Sequence, residues 1–224
     1  MNKKTGVFAN GIIWFGAAVS IAEIEAGCSI GGNWAALVAG HLLGGFMLYA
    51  AGLLGAISGR NAMETTSATF GCNGMRMFAV LNIVQLVGWT AVMIAQGGTA
   101  ISQLTGLRYV LPCLALAVLI GVWIFVALGD RLHLATIAMV ALAVCGVMDH
   151  YIEFLYLISS VFAPMATVLL VDRYLIRRGR VLWNLIAWLS GVLVYQIADS
   201  SPIGPSLTAI VATALLTGLQ GLRR

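Results

Sequence analysis

Long apolar runs follow one another along the chain and are interrupted by only a few polar residues. A helix that spans a bilayer needs about 20 mostly apolar residues. The runs are continuous, whereas the strands of a membrane β-barrel alternate apolar and polar positions. The pattern therefore predicts an all-α polytopic membrane protein. The eight predicted spans are residues 11–28, 34–57, 77–96, 110–128, 132–148, 154–171, 181–197 and 206–219.

Glycines and charged residues separate these runs and are expected to mark the loops. Gly97 and Gly98 are predicted to end the third span, and Arg177–Arg180 are predicted to separate the sixth from the seventh. No long linker or low-complexity tract interrupts the series, so residues 1–224 are expected to form a single integral membrane domain.

Composition supports a chain that lies almost wholly in a membrane. Hydrophobic residues make up 61% of the 224 positions, and Lys, Arg, Asp and Glu only 9%, whereas a typical soluble domain has about 25% charged residues. These proportions argue against a water-soluble enzyme, a nucleic-acid-binding protein and a secreted disulfide-rich domain.

The net charge of +4 is explained by topology. If the N-terminus is cytoplasmic, eight spans place 11 of the 12 Lys and Arg residues on the cytoplasmic side, and only Arg108 lies outside. Positive residues concentrate on the cytoplasmic side of membrane proteins. We therefore expect a multi-pass protein of a bacterial-type inner membrane, with both termini in the cytoplasm and no nucleic-acid partner.

Glu23 is the most informative polar residue of the first span. It lies 12 positions beyond Gly11, about 18 Å along a helix, where an acidic side chain costs about 2.5–3.5 kcal/mol. Two explanations stay open, a neutral glutamic acid hydrogen-bonded between helices or a ligand or proton site. In a regular helix Glu23 and Glu25 would point to different faces and could not share one cavity. Either the helix is interrupted between Ser20 and Gly27, or Glu25 reaches the outer interface.

The third span carries a polar stripe around a tryptophan. Asn82, Gln85, Trp89 and Gln96 are separated by 3, 4 and 7 positions, which places them on one helix face. Such a face suits a flat heteroaromatic ligand, because the ring can stack on the indole while amides bond its edge. Polar packing between helices is the alternative explanation.

Other residues favour structural roles. Ala36, Gly40 and Gly44 recur every fourth position and predict a helix-packing face. The four cysteines show no CxxC pairing, so no metal site is expected. Because no motif brings a nucleophile together with its base, the protein is not expected to be an enzyme and no cofactor is expected beyond a coupling ion.

Several long strings of residues resemble the nucleobase:cation symporter family. The similarity is closest to its branch of hydroxymethylpyrimidine transporters (CytX). The strings occupy residues 13–24 (IWFGAAVSIAEI), 61–71 (NAMETTSATFG), 81–94 (LNIVQLVGWTAVMI), 154–178 (FLYLISSVFAPMATVLLVDRYLIRR), 184–195 (NLIAWLSGVLVY) and 201–207 (SPIGPSL).

The resemblance implies a leucine-transporter-like fold of twelve helices, built on an inverted five-plus-five repeat. In that fold the substrate lies at mid-bilayer, between the broken first and sixth helices and the third and eighth. Residues 1–130 resemble the N-terminal helices one to four, and residues 131–224 resemble helices nine to twelve. The central helices five to eight have no counterpart here, and the junction is expected near residues 128–135.

The resemblance also implies a half-site. Trp89 matches the tryptophan on which the heterocycle stacks, although Met93 stands where family members often have a glutamine. Glu23 is placed to bond an amino group of the substrate, and the other substrate-binding candidates are Asn82, Gln85 and Gln96. Backbone carbonyls of the interrupted first helix would coordinate a cation, and the coupling ion would be Na⁺ or H⁺. The cation-binding candidates are Ala17, Ser20 and Ala22.

The function implied is uptake of a pyrimidine coupled to a cation by alternating access. The expected substrate is hydroxymethylpyrimidine, a thiamin precursor. The alternative is an internally deleted, transport-inactive family member with a structural or partner-binding role, and a homo-oligomer stays open because two copies could rebuild a larger bundle. A channel is disfavoured, since the chain lacks a ring of like charges or a filter-like loop.

Overall fold

The computed structural model describes residues 6–29, 32–128, 141, 143, 145, 150–177, 179–198 and 200–222. No strand occurs among these residues, which confirms the all-α prediction. The helix Tyr151–Leu170 continues directly into a π-helical turn, Val171–Ile176. The helices are α1 (Val7–Ala18), α2 (Ile21–Ser29), α3 (Trp34–Ser58), α4 (Ala62–Thr105), α5 (Val110–Leu128), α6 (Tyr151–Leu170), α7 (Val181–Ile197) and α8 (Pro205–Leu222).

Within the described residues, four helical segments are long and apolar enough to cross a membrane. They are Trp34–Ser58, Ala62–Thr105, Tyr151–Ile176 and Pro205–Leu222. Large apolar side chains cover the outside of the helices, and Ile57, Leu104 and Leu182 are exposed by 76%, 87% and 70%. Apolar surface of this extent is unusual on a soluble monomer. Both observations indicate an α-helical membrane protein.

Several predicted spans coincide with helices. The spans 34–57, 110–128 and 181–197 match α3, α5 and α7 to within one residue. The spans 154–171 and 206–219 lie within longer helical segments. The predicted span 132–148 lies outside the described residues, apart from 141, 143 and 145.

The first predicted span is two helices. Helix α1 ends at Ala18, Val19 leaves the helical region (φ −107°, ψ 73°), and α2 begins at Ile21. The Ser20 hydroxyl accepts a hydrogen bond from the Glu23 N–H (3.2 Å), as an N-cap residue does. Of the two alternatives for this span, the structure shows the interruption, at the N-terminal edge of the expected range Ser20–Gly27.

Helix α4 is longer than the span predicted within it. It begins at Ala62 after a capping box, in which Asn61 Oδ1 accepts the Glu64 N–H (2.9 Å) and Glu64 Oε2 accepts the Asn61 N–H (3.1 Å). It kinks at Gly71 (φ 71°, ψ 175°) and ends before Gly106 (φ 72°).

Gly97 and Gly98 were wrongly predicted to end this helix. They lie inside α4 at its contact with α5, where a Cβ on Gly97 would lie 2.7 Å from Leu116 Cδ1 and a Cβ on Gly98 would overlap Cys113 Sγ. These glycines therefore serve close helix packing, which a sequence pattern cannot distinguish from a loop.

The described chain forms two compact units. The first unit contains Met1–Val38 and Val87–Ile152, and the second contains Ala39–Leu86 and Glu153–Arg224. The core of the first unit includes Ala91, Ile94, Ala95, Cys113, Ala117 and Ala143. The core of the second unit includes Phe70, Phe78, Met165, Val168, Leu169 and Ala187.

The small-residue face predicted on α3 is open in the described structure. Ala36 is exposed, and a Cβ built on Gly40 or Gly44 would meet no described atom within 4 Å. The prediction that this face packs against a neighbouring helix is therefore not met by any part of the chain that the structure describes.

Candidate functional site

The predicted cation site lies at the break between α1 and α2, in the first unit. Ala17 is in the last turn of α1, Ala22 is in the first turn of α2, and Ser20 stands half-buried between them. A helix break leaves backbone carbonyls of the preceding turn without partners inside that helix. Carbonyl oxygens released in this way are suitable ligands for a cation. Of the three candidates only Ala17 lies in that turn, since the Ser20 carbonyl accepts the Ile24 N–H (3.1 Å) and Ala22 belongs to the next helix.

Glu23 lies directly after this break. It is the third residue of α2, where a carboxylate is favoured by the positive end of the helix dipole. Its side chain is exposed, and its carboxylate has no hydrogen bond or ion pair with another described residue. The spacing Ser20-x-x-Glu23 is the sequence signature of a capping box, and it was the signal that could have located the break.

Trp89 lies in the first unit and packs against an aromatic residue that the sequence analysis did not identify. Its half-buried indole meets the ring of Tyr151 edge-to-face, with centroids 6.3 Å apart and planes at 72°. Tyr151 is buried at the start of α6. Gln96, two turns beyond Trp89 on α4, is also buried. An aromatic pair can hold the plane of a flat heterocycle, and Gln96 lies about 10 Å further along the same helix.

The other two members of the polar stripe belong to the second unit. Gln85 Nε2 donates to Asn82 Oδ1 at 2.9 Å, and both side chains are half-buried. The predicted stripe thus divides into an amide pair in the second unit and Trp89 with Gln96 in the first. Each amide still has further donors and acceptors, since one hydrogen bond uses only part of its capacity.

A pocket of about 350 Å³ opens in the first unit, next to α2. Ile24, Gly27 and Cys28 line it from α2, and Asn33, Trp34 and Leu37 line it from the start of α3. Glu23 immediately precedes its first lining residue. None of the predicted substrate-binding residues belongs to its described lining, so the pocket provides no direct support for their roles.

The densest group of buried polar contacts lies in the second unit and was missed. Asp172, in the π-helical turn, is 1% exposed. Its Oδ2 accepts from the Thr69 hydroxyl at 2.8 Å, and its Oδ1 accepts from the Gly179 N–H at 2.6 Å. A Cβ on Gly179 would overlap Asp172 Oδ1, so this glycine is needed for the close approach.

Asn184 and Gln220 extend this polar cluster. Asn184 Nδ2 donates to the Thr69 carbonyl (2.9 Å), Gln220 Nε2 donates to Asn184 Oδ1 (2.7 Å), and Gln220 Oε1 accepts the Arg180 N–H (2.7 Å). Thr69 lies just before the kink at Gly71, where carbonyls lose helical partners. We call Thr69, Asp172, Gly179, Asn184 and Gln220 the Asp172 cluster. The polar side chains of the cluster hydrogen-bond to one another and to nearby backbone groups, which is typical of a structural role.

The described cysteines and acids do not group into a metal centre. Cys113 is buried in the core of the first unit, while Cys28, Cys72 and Cys145 are exposed, and all four are free thiols. In the described ranges, no group of three or more His, Cys, Asp or Glu side chains is placed to hold a metal ion.

Comparisons of the chain with protein-family models, with curated proteins and with solved structures gave no match. The similarity to nucleobase:cation symporters therefore stays a prediction.

Proposed function

We propose that this chain is a transporter-type membrane protein that binds a pyrimidine, with hydroxymethylpyrimidine as the expected substrate, together with Na⁺ or H⁺. The observation that carries the proposal is the break at Val19–Ser20 inside the first apolar segment. Irregular backbone is tolerated at membrane depth only where it is buried in protein or lines a cavity. Discontinuous helices of this kind form substrate and ion sites in transporters.

The proposed topology has eight spans, with both termini on the cytoplasmic side of a bacterial-type inner membrane. Helix α3 is followed by Arg60, and the end of the α6 segment carries Arg173 and Arg177. Arginines at these ends agree with the positive-inside pattern. The helices would correspond to helices one to four and nine to twelve of the leucine-transporter-like fold.

In the proposed site the heterocycle stacks on Trp89, and Glu23 accepts a hydrogen bond from its amino group. The edge-to-face contact with Tyr151 supports this role for Trp89, because it fixes the plane of the indole. The carboxylate of Glu23 is available, since no described residue bonds it. Ala17, Ser20 and Ala22 would provide backbone oxygens to the cation.

The decisive experiment measures binding of radiolabelled hydroxymethylpyrimidine to the purified full chain. We expect saturable binding by the wild type, loss of binding in Trp89→Ala, and retention in the matched control Trp123→Ala, which removes an exposed tryptophan of α5. Retention of wild-type binding by Trp89→Ala would overturn the proposed site. Uptake into proteoliposomes under a Na⁺ gradient or a pH gradient then identifies the coupling ion.

The second candidate is a transport-inactive protein with a structural or partner-binding role. It is favoured by the hydrogen bond between Gln85 and Asn82, which engages two of the predicted ligand groups with each other. Absence of pyrimidine binding by the correctly folded wild type would select this candidate.

A further inference from the structure

An apolar groove on the second unit lies between α3 and the end of α6. It encloses about 330 Å³, within the range of small-molecule pockets. Phe46, Tyr49 and Leu53 line one wall, while Leu170, Tyr174 and Leu175 line the other. The Tyr174 hydroxyl donates to the Ala50 carbonyl at 2.9 Å and so joins the two walls.

A basic pocket lies beside this groove, where α3 ends. It has a volume of about 90 Å³, or about three water molecules at roughly 30 Å³ each. Ile57 and Ser58 line it from the last turn of α3, Thr65 from the start of α4, and Arg60 and Arg173 provide its charge. On each wall, a residue that lines the groove is the chain neighbour of one that lines the pocket. Leu53 and Tyr174 line the groove, while Leu54 and Arg173 line the pocket.

The donors of the two arginines are unengaged in the described part of the chain. Neither side chain has a hydrogen bond or ion pair with a described residue, and no described lining residue is acidic. The nearby Glu64 carboxylate bonds the Asn61 N–H in the capping box. The hydroxyls of Ser58 and Thr65 donate to the carbonyls of Leu54 and Ala62, so the guanidinium groups are left to bind an external anion.

We propose that the groove and the basic pocket together bind one anionic phospholipid, with its phosphate on Arg60 and Arg173 and an acyl chain along α3. Ile57 lies 11 positions beyond Phe46, which is about 16 Å of helix and close to the thickness of one leaflet, half of about 30 Å. Arginine bonds phosphate oxygens in pairs. Basic pockets between membrane helices bind anionic head groups.

This inference requires that the chain lie in a bilayer, but not that it transport a pyrimidine. Both arginines are expected on the cytoplasmic side, where anionic lipids create a negative surface potential. A lipid held here would bridge the end of α3 to the π-helical turn that follows α6.

The test is native mass spectrometry of the purified full chain in a neutral detergent, titrated with dioleoyl phosphatidylglycerol. Dioleoyl phosphatidylcholine and inorganic phosphate provide the comparison arms. We expect a single preferred phosphatidylglycerol adduct whose affinity falls about fivefold in Arg60→Gln or Arg173→Gln and about 25-fold in the double variant. Arg76→Gln, an exposed arginine outside the pocket, is the matched control and leaves the affinity unchanged.

The groove is tested by Leu53→Trp, which fills it, against Leu48→Trp on an exposed part of the same helix. We expect Leu53→Trp alone to weaken the adduct. Equal affinity for phosphatidylcholine, an unchanged affinity in the double arginine variant, or full competition by inorganic phosphate would each overturn the proposal. Thermal unfolding of every variant confirms that it is folded.

Discussion

Two acidic residues, Glu23 in the first unit and Asp172 in the second, occupy opposite environments. Glu23 is exposed and its carboxylate has no described partner, whereas Asp172 is 1% exposed and accepts from Thr69 and Gly179. Membrane energetics singled out Glu23 because it lies far inside an apolar run. The position of an acidic residue within an apolar run gives the energetic cost of exposing its carboxylate to lipid. It does not tell whether the folded protein provides hydrogen-bond donors to that carboxylate.

A helix break lies near each of the two acidic residues, and different kinds of hydrogen bond close the two breaks. In the described part of the chain, the break before Glu23 is closed by local bonds, from the Glu23 N–H to the Ser20 hydroxyl and from the Val19 N–H to the Phe15 carbonyl. The break at Gly71 is covered by other segments, since Asn184 bonds the Thr69 carbonyl and Asp172 bonds the Thr69 hydroxyl. A break covered from several elements is rigid, whereas one closed by local bonds can rearrange at lower cost. The first unit therefore holds the more adaptable break.

The largest expected effect comes from Asp172→Ala. The substitution leaves the buried Thr69 hydroxyl and the half-buried Gly179 N–H without an acceptor, and a fully buried group left in this way costs about 1–3 kcal/mol. We expect a loss of about 3 kcal/mol in the free energy of unfolding, measured by SDS titration of the protein in mixed micelles. Glu153→Ala, at an exposed acid of the same helix, is the control. Equal stability of the two variants would show that the Asp172 cluster is not structural.

Gly71→Ala tests the break of the second unit directly. Its backbone (φ 71°, ψ 175°) lies in a region that essentially only glycine adopts. We expect a cost of about 2 kcal/mol in the same titration, within the range for a residue held in such a conformation. Gly218→Ala, in α8 where a Cβ meets nothing within 4 Å, is the matched substitution and should be neutral or slightly stabilising. A stable Gly71→Ala variant would contradict the observed kink.

Long apolar runs predicted the membrane class and the bounds of α3, α5 and α7, because length and hydropathy determine them. This pattern failed at Gly97–Gly98, since glycines that permit close packing look like glycines that end a helix. It also missed Asp172, whose partners are 103 and 7 positions away in the chain. The break at Ser20 was readable from local spacing, whereas the partners of Trp89 required the tertiary structure.

A smaller effect is expected from Asn61→Ala, which removes half of the capping box at the start of α4. The Glu64 N–H loses its acceptor at 2.9 Å, and an N-cap asparagine is worth about 1 kcal/mol. Ser20→Ala should cost less than this, because the cap bond that it removes is longer, at 3.2 Å. Comparing the two variants by thermal unfolding measures how much each N-cap side chain stabilises the helix that it starts. A larger loss of stability in Ser20→Ala than in Asn61→Ala would contradict this expected order.

Glu23→Ala should have the smallest effect on stability and the largest on function. The carboxylate is exposed and bonds no described residue, so we expect the thermal midpoint to stay within about 2 °C of the wild type. If Glu23 bonds the substrate amino group, hydroxymethylpyrimidine binding is nevertheless lost. Asp172→Ala shows the opposite dependence, with stability lost first. A Glu23→Ala protein that is as stable as the wild type and still binds the pyrimidine would remove Glu23 from the site, and the exposed acid of the first unit would then have neither role.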